Sequence, residues 1–407
     1  MQISGLPDFP WDSLGPITAH AKTHSNGFID LSVGTPVDPT PERAQSALRD
    51  AANAPGYPST AGTVALHEAV LDWFTRARGV DAMRAGLSED GVLPTIGLKE
   101  FVAFLPGYLG LGANDTVMYP RIAYPTYDIG ARLVGAQTIA ADATTAVGPG
   151  EVQLVWLNSP SNPTGKVLGI EHLAKVVAWA RERGAIVVAD ECYAELPWEE
   201  PWRSAGVPSI LDPRVTGGSP EGVLALYSLS KRSNLAGYRA GFAAGDPKII
   251  APILEVRKHA GMMMPGPVQA TMETMLRDDA HVVEQRERYR KRRALLRSAL
   301  EAAGFRIDDS EAGLYLWVTH DEILNAHVSG APASEVLQVA NGGPRAGGEP
   351  QAGAWTLLEW FADRGILVAP GTFYGPAGKN HVRIALTAND VDVAAAARRI
   401  APHERGA

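Results

Sequence analysis

Residues 152–193 read VQLVWLNSPSNPTGKVLGIEHLAKVVAWARERGAIVVADECY, and this stretch decides the fold class. An apolar run, VQLVWLNSP, ends in a turn rich in Pro, Asn and Gly; EHLAKVVAWARERG then carries helical spacing, and AIVVADE returns to a continuous apolar run. A strand covered on both faces reads as an unbroken apolar stretch, and two such strands bridged by a helix form a parallel unit. Outward from this unit, DTVMYP lies upstream and VLALYSLSK downstream, so strand and helix alternate through the middle of the chain. The expectation is an α/β protein whose mostly parallel central sheet is covered by helices. Polar residues stand just beyond the strands: Tyr119, Asn158, Asp190 and Lys231. Open α/β sheets present ligand-binding groups at that edge.

The flanks differ from the middle. Residues 1–60 are rich in Pro, Gly, Ser and Thr and read as an irregular arm, turning at Gly34-Thr35-Pro36 and Gly56-Tyr57-Pro58. TVALHEAVLDWFTR, from Thr63 to Arg76, has helical spacing, and Gly97-Leu98-Lys99 leads into the helical pattern EFVAFLPGYLG. Beyond about residue 245 come long charged helices, notably HVVEQRERYRKRRALLRSALEAAG. Its basic residues are interleaved with Glu284, Glu287, Leu295, Leu296 and Leu300, the pattern of a solvated amphipathic face, not of a nucleic-acid surface. GLYLWVT, ILVAPG and HVRIALT alternate with the helix AWTLLEWFADRG, which suits a smaller α+β domain. The expected division is an arm over 1–45 that joins the small domain, a large domain over 46–285, and a small domain over 286–407 with a flexible Gly/Ala/Pro-rich insertion near 324–353.

Composition removes several functions. At 407 residues with 45% hydrophobic content, the chain can bury a large core. Its 37 Lys and Arg against 45 Asp and Glu leave a net charge of −8, which removes the broad electrostatic case for a nucleic-acid partner. No apolar run approaches the roughly 18 residues of a membrane span, and MQISGLPDFPWD lacks the form of a leader peptide, so a cytoplasmic protein without a membrane partner is expected. A lone cysteine, Cys192, excludes an internal disulfide, and no CxxC or HExxH motif offers a metal site.

The densest chemical signal is Ser228–Phe242, SLSKRSNLAGYRAGF. A lysine just past a buried strand is partly desolvated, which lowers its pKa and frees the Lys231 amine for a Schiff base, although a lone lysine is more often a surface charge. Ser228, Ser230 and Arg239 supply hydroxyls and a guanidinium fork suited to a phosphate. Gly97, Leu98 and Lys99 add main-chain donors at a helix start, where the helix dipole favours an anion. Asp190 could hold a protonated pyridine nitrogen with Tyr193 reaching a ring hydroxyl, or could be a helix cap. The Asn158–Lys166 segment could aim the Asn162 amide at a bound ring or be a turn and nothing more. Tyr124 offers a stacking face or ordinary packing.

Taken together, these segments resemble the fold-type I pyridoxal-phosphate aminotransferases of the aspartate-aminotransferase superfamily, from the arm to the final domain. The resemblance implies pyridoxal 5'-phosphate as cofactor, Lys231 as its covalent partner and proton carrier, and Asp190 at the pyridine nitrogen. It implies Asn162 and Tyr193 at the ring hydroxyl, Tyr124 over the ring, and Ser228, Ser230 and Arg239 with the Gly97–Lys99 backbone at the phosphate. Arg383, in HVRIAL, would clamp a substrate α-carboxylate beside Gly34 and Asn162. Tyr57 would reach the phosphate of a neighbouring subunit, which implies a homodimer with shared sites and small amino-acid and 2-oxo-acid substrates.

More narrowly, LSVGTPVDP, APGYPSTAGT, LPTIGLKE, YPRIAYPTYD, LNSPSNPTGKVLG, ADECY and VRKHAGMMMPGPVQ resemble actinobacterial N-succinyldiaminopimelate aminotransferases. That resemblance implies reversible transfer of an amino group from N-succinyl-LL-2,6-diaminopimelate to 2-oxoglutarate, in lysine and diaminopimelate synthesis. Donors such as aspartate, alanine or aromatic amino acids remain alternatives, as does a pyridoxal-phosphate lyase. A regulator built on this fold is disfavoured, since no DNA-binding module fits ahead of the arm. Arg232, Lys258 and His259 are candidates for the distal end of a long substrate, and Met262, Met263 and Met264 could line it or pack a core.

Overall fold

The computed structural model describes residues 6–148, 150–328 and 353–402. Its strands in chain order are β1 (Ile29–Asp30), β2 (Val92–Ile96), β3 (Thr116–Tyr119), β4 (Gln137–Ala140), β5 (Leu154–Asn158), β6 (Ile186–Asp190), β7 (Val223–Ser228), β8 (Ala240–Gly245), β9 (Arg306–Asp308), β10 (Tyr315–Thr319), β11 (Ile366–Leu367), β12 (Ala369–Pro370) and β13 (Val382–Ala385). The large sheet runs β2-β8-β7-β6-β5-β3-β4. From β7 to β4 all pairings are parallel, while β8 is antiparallel to both its neighbours. Every residue of β5 and β7 is buried, as their unbroken apolar sequence requires of strands covered on both faces.

Helices form the covers. Helix Ile170–Arg181, which connects β5 to β6, turns Leu173, Val176, Val177 and Ala180 inward. On that side the core includes Leu66, Val70, Trp73, Phe74 and Phe242; on the other it includes Phe101, Leu105, Tyr127, Trp156 and Ile253. From β3 the chain steps outward to β4 and then returns to the opposite side of β3 as β5. That reversal is a topological switch point, where adjoining connections diverge and open a crevice beyond the strand ends.

The second unit draws on both ends of the chain. An antiparallel sheet, β12-β13-β10-β9, sets Trp317 opposite Arg383 and Tyr315 opposite Ala385. β1 pairs in parallel with β11, Ile29 against Ile366, tying the arm to the tail. One core joins Leu14, Ile17, Ile29 and Leu31 to Leu296, Phe305, Leu316, Phe361 and Val382. The α/β architecture is therefore the expected one, with a mostly parallel sheet and a smaller α+β companion.

Several expectations need correction. The arm carries helices Gly15–Ala21 and Glu42–Asp50 where irregular chain was expected; Pro16 and Pro41 sit at their starts, where a missing N–H costs nothing, so proline there does not signal loop. The break expected at 45/46 falls inside helix Glu42–Asp50, whose Ala44 packs into the large core, and the one expected at 285/286 falls inside helix Ala280–Ala302. In the latter helix Leu296 and Leu300 point inward but Leu295 is exposed. Its arginines meet carboxylates: Arg288 with Glu284 (2.6 Å), Arg290 with Glu287 (2.7 Å), Arg292 with Asp38 (2.6 Å) and Arg293 with Glu199 (2.7 Å). The insertion expected near 324–353 lies almost wholly outside the described residues. Among the described residues no helix is long and apolar enough to cross a membrane, and no group of His, Cys, Asp and Glu could hold a metal ion.

Candidate active site

The polar ends of β5, β6 and β7 open into a cleft of about 590 Å³ between the two units. Its lining contains Gly34, Leu98, Lys99, Tyr124, Asn162, Asp190, Tyr193, Ser228, Ser230, Lys231, Arg239 and Arg383. Residues separated by up to 349 positions thus meet where three expected strands end, while Tyr119, at the end of a fourth, does not line the cleft.

β6 delivers Asp190. Its carboxylate is held from two sides: Tyr127 Oη donates to Oδ2 (2.9 Å), and the Cys192 N–H donates to Oδ1 (3.1 Å). The Cys192 contact closes a turn, and no helix begins there, so Asp190 is not the helix cap that the sequence offered as its alternative role. Burial pushes the Asp190 carboxyl above the usual range, with the Cys192 and Tyr127 hydrogen bonds pulling the other way. A buried carboxylate in that state favours a cationic partner. β5 delivers Asn158, which accepts the Asn162 N–H (2.7 Å) and donates to the Asp190 carbonyl (2.9 Å), so the Ser159–Gly165 turn is pinned to the end of β6.

β7 runs directly into the short helix Leu229–Arg232, placing the Lys231 amine inside the cleft, where it donates to the Gly34 carbonyl. Burial lowers its pKa from the usual lysine value. The Ser230 N–H donates to Ser228 Oγ (3.1 Å), and the two hydroxyls lie 2.8 Å apart. Arg239 closes this side, and Gly97 faces it at φ +67, with so little room that a Cβ would fall 2.1 Å from Arg239 Nη2. The Gly97 N–H is engaged by the Arg239 carbonyl (2.7 Å), so Gly97 contributes space and not the expected donor. The free donors are the N–H groups of Leu98 and Lys99, in the first turn of helix Leu98–Tyr108, where no intrahelical acceptor exists. Hydroxyls, a guanidinium and helix-start amides around a cradle that a Cβ would fill suit a phosphate group.

β13 delivers Arg383, buried in the cleft wall. Its Nη1 donates to Asn162 Oδ1 (3.0 Å), its Nη2 donates to the Ser32 carbonyl, and its Nε has no partner among the described residues. A buried guanidinium with an orphaned donor suits an anionic substrate group. Tyr124 lies edge-on to Tyr127 (centroids 6.0 Å apart), and burial pushes its phenol up to about 12. The groups present therefore fit pyridoxal phosphate: phosphate donors, a carboxylate for a protonated ring nitrogen, a buried amine and an aromatic wall.

Other expected residues lie elsewhere. Tyr57 is outside the cleft and 97% exposed. Arg232 does not line the cleft and is buried in an ion pair with Glu195 (2.9 Å), since the residue after Lys231 on the short helix points in a different direction. Lys258 pairs with Glu255 (2.6 Å) at the end of helix Pro247–Ala260, and neither it nor His259 lines the cleft. Met264 is core, with Met262 and Met263 half-buried. Sequence reasoning missed Tyr127, Tyr315, Phe9 and Trp11; Tyr127 stacks on Trp156, and Phe9 on Trp11 at the cleft mouth. No sequence signal flags the first, since Tyr124 lies ahead of helix Thr126–Leu133, which carries Tyr127. A second groove of about 640 Å³ between His24, Arg364, Arg398 and Arg399 holds none of the strand-end groups; Arg399 and Arg364 cap backbone carbonyls there.

Known proteins resemble this chain along most of its length. The profile described as aminotransferase class I and II matches residues 26–400. The chain is 52% identical over 397 residues to the "Probable aminotransferase" of Mycobacterium tuberculosis, covering 98% of this chain and 86% of that protein. It is 49% identical over 395 residues to the 4-dedimethylamino-4-oxo-anhydrotetracycline transaminase of Streptomyces rimosus, covering 97% and 99%. Among solved structures, the probable N-succinyldiaminopimelate aminotransferase of Thermus thermophilus aligns with a TM-score of 0.75 and 28% identity, covering 94% of this chain and 98% of that one.

Proposed function

The chain belongs to the class I and II aminotransferases, pyridoxal-phosphate enzymes of fold type I acting on amino-acid and 2-oxo-acid pairs, and on that premise we propose its substrates and the roles of its residues. The proposed reaction is reversible transfer from N-succinyl-LL-2,6-diaminopimelate to 2-oxoglutarate, giving N-succinyl-2-amino-6-oxopimelate and L-glutamate. The observation that carries the chemistry is the meeting of Asp190, Lys231 and Arg383 in one cleft. The substrate rests on motif resemblance and on the likeness to the Thermus thermophilus structure.

When bound, pyridoxal phosphate supplies an electron sink that makes the proton on the substrate α-carbon removable. Ser228, Ser230, Arg239 and the Leu98 and Lys99 amides hold its phosphate, Asp190 its ring nitrogen, Tyr193 and Asn162 its ring hydroxyl, and Tyr124 covers its face. Arg383 takes the α-carboxylate through a two-pronged contact and so aims the α-carbon at Lys231. Asn162 Oδ1 and the Ser32 carbonyl fix the plane of that guanidinium. Lys231 Nζ, its pKa lowered by burial, is available unprotonated to take the α-proton and to return it. A homodimer would bring Tyr57 of one chain to the phosphate site of the other; light scattering of the holoenzyme should give twice the chain mass, and a single chain mass would contradict the shared site.

A second reading has its own support. Phe9 and Trp11 form an aromatic wall at the cleft mouth, and the Streptomyces rimosus relative is a tetracycline-type transaminase, so a bulky planar oxo acceptor is the competing substrate class. Half-reactions of the holoenzyme separate the two: loss of the visible cofactor absorption reports the amino donor, and its return on adding 2-oxoglutarate or a planar polycyclic ketone reports the acceptor, where faster return with the ketone favours the second reading. N-succinyldiaminopimelate should react at least about tenfold faster than aspartate, alanine and phenylalanine, a difference of ~1.4 kcal/mol in barrier. Preference for a simple or aromatic donor would end the narrow assignment.

A further inference from the structure

Tyr315, on β10, belongs to no motif in the sequence, yet three parts of the cleft converge on its buried side chain. Its hydroxyl lies 3.2 Å from the Tyr193 hydroxyl, and either can donate. Its ring carries the Arg383 guanidinium, whose central carbon stands 4.0 Å from the ring centroid. Gly34, whose carbonyl accepts from Lys231, lies so close that a Cβ there would fall 2.1 Å from Tyr315 Oη. The antiparallel register accounts for the ring contact: Tyr315 and Arg383 are two residues apart across the β10–β13 ladder, within reach of long side chains on one face.

We propose that Tyr315 is a positioning residue with two separable actions: its hydroxyl donates to Tyr193 and so orients the Tyr193 O–H toward the cofactor, and its ring sets the plane of Arg383 for the substrate carboxylate. This rests on the reading above, in which Tyr193 faces the cofactor ring and Arg383 the substrate. The direction of the hydroxyl pair follows from it. A phenol has one proton, so if Tyr193 donates to the ring oxygen it must accept from Tyr315. A chain of hydroxyls polarised in one direction makes its last member the stronger donor. The ring action is electrostatic, the guanidinium lying against the negative face of the aromatic ring.

The other titratable and charged groups around this pair are Asp190 at the end of β6 and Cys192 just beyond it, Lys231 and Arg239 after β7, Arg383 on β13, and the phenols of Tyr124, Tyr289 and Tyr374. Tyr315→Phe leaves all of them in place and keeps the ring, so it removes the hydroxyl alone. The measurement is the pH titration of visible cofactor absorption in the holoenzyme, beside steady-state kinetics. A weaker donor at the ring oxygen makes the chromophore hold its proton more tightly. Tyr315→Phe should therefore raise the titration midpoint by about 0.5 to 1 while leaving the amino-donor KM within about twofold. Tyr315→Leu should in addition raise that KM about tenfold, because the surface under Arg383 is lost.

Tyr193→Phe serves as the reference. If it shifts the midpoint and Tyr315→Phe does not, the hydroxyl coupling is overturned while the site reading stands. If neither variant shifts it, the placement of Tyr193 falls together with the coupling. Equal KM values for Tyr315→Phe and Tyr315→Leu overturn the ring action.

Discussion

Asp190 shows how single contacts decide the chemistry. Its carboxylate has lost most of its water, and what keeps it usable is the donor on each oxygen, Tyr127 on one and the Cys192 backbone on the other. Tyr127→Phe removes one donor and leaves that oxygen without its partner in a dry site, a change of about 1–3 kcal/mol. Cofactor affinity and kcat/KM should each fall roughly tenfold or more, with the thermal midpoint lowered only slightly; unchanged cofactor affinity in equilibrium titration would remove Tyr127 from the support of Asp190. Asp190 itself could be read in the sequence because it ends an apolar strand. Tyr127 could not, because its role depends on contact with a residue 63 positions away, and in sequence it is one more aromatic in a helix. Arg232 failed for the converse reason: a charge beside the key lysine looks available until the helix turns it into a buried pair with Glu195.

At the scale of elements, strand ends deliver the cleft, and those strands were legible because burial on both faces leaves a continuous apolar signature. The short helices of the arm were not, since their prolines sit at helix starts. Helix Ala280–Ala302 joins the two units, and its first turn carries His281, whose ring meets the Ser233 hydroxyl (2.8 Å) just past Lys231. Burial, and then the Arg232 charge, lower its pKa from 6.5 to about 4, outweighing the opposing pull of Asp278 at 3.3 Å. For a group whose pKa is depressed on folding, the stability it contributes is complete above the unfolded value and lost as pH falls toward the folded one. Urea unfolding should thus show stability declining between pH 6.5 and about 4, with a contribution from this histidine on the order of 3 kcal/mol. His281→Gln should flatten that decline; an unchanged pH slope would show that the ring is not held neutral.

Across the whole molecule, function depends on two units meeting. Asn162 comes from the turn after β5 of the large sheet and Arg383 from the small sheet, and their 3.0 Å hydrogen bond joins the two units. Alternation of strand and helix was enough to anticipate the large sheet and the smaller companion. It could not place the divisions between them, because Glu42–Asp50 and Ala280–Ala302 run through the expected breaks, and a continuous helix leaves no composition change at a boundary. Placing Arg383 in the site needed the resemblance, since an arginine in a C-terminal strand is otherwise one charge among many.

The central claim is that Lys231, at the end of β7, carries the cofactor. Borohydride reduction of the holoenzyme fixes the lysine–cofactor linkage, and peptide mass mapping then reads which residue is modified. The account predicts the pyridoxyl-phosphate mass on the peptide containing Lys231, and its loss together with multiple turnover in Lys231→Ala. The same mass on another lysine, or full turnover in Lys231→Ala, would contradict it.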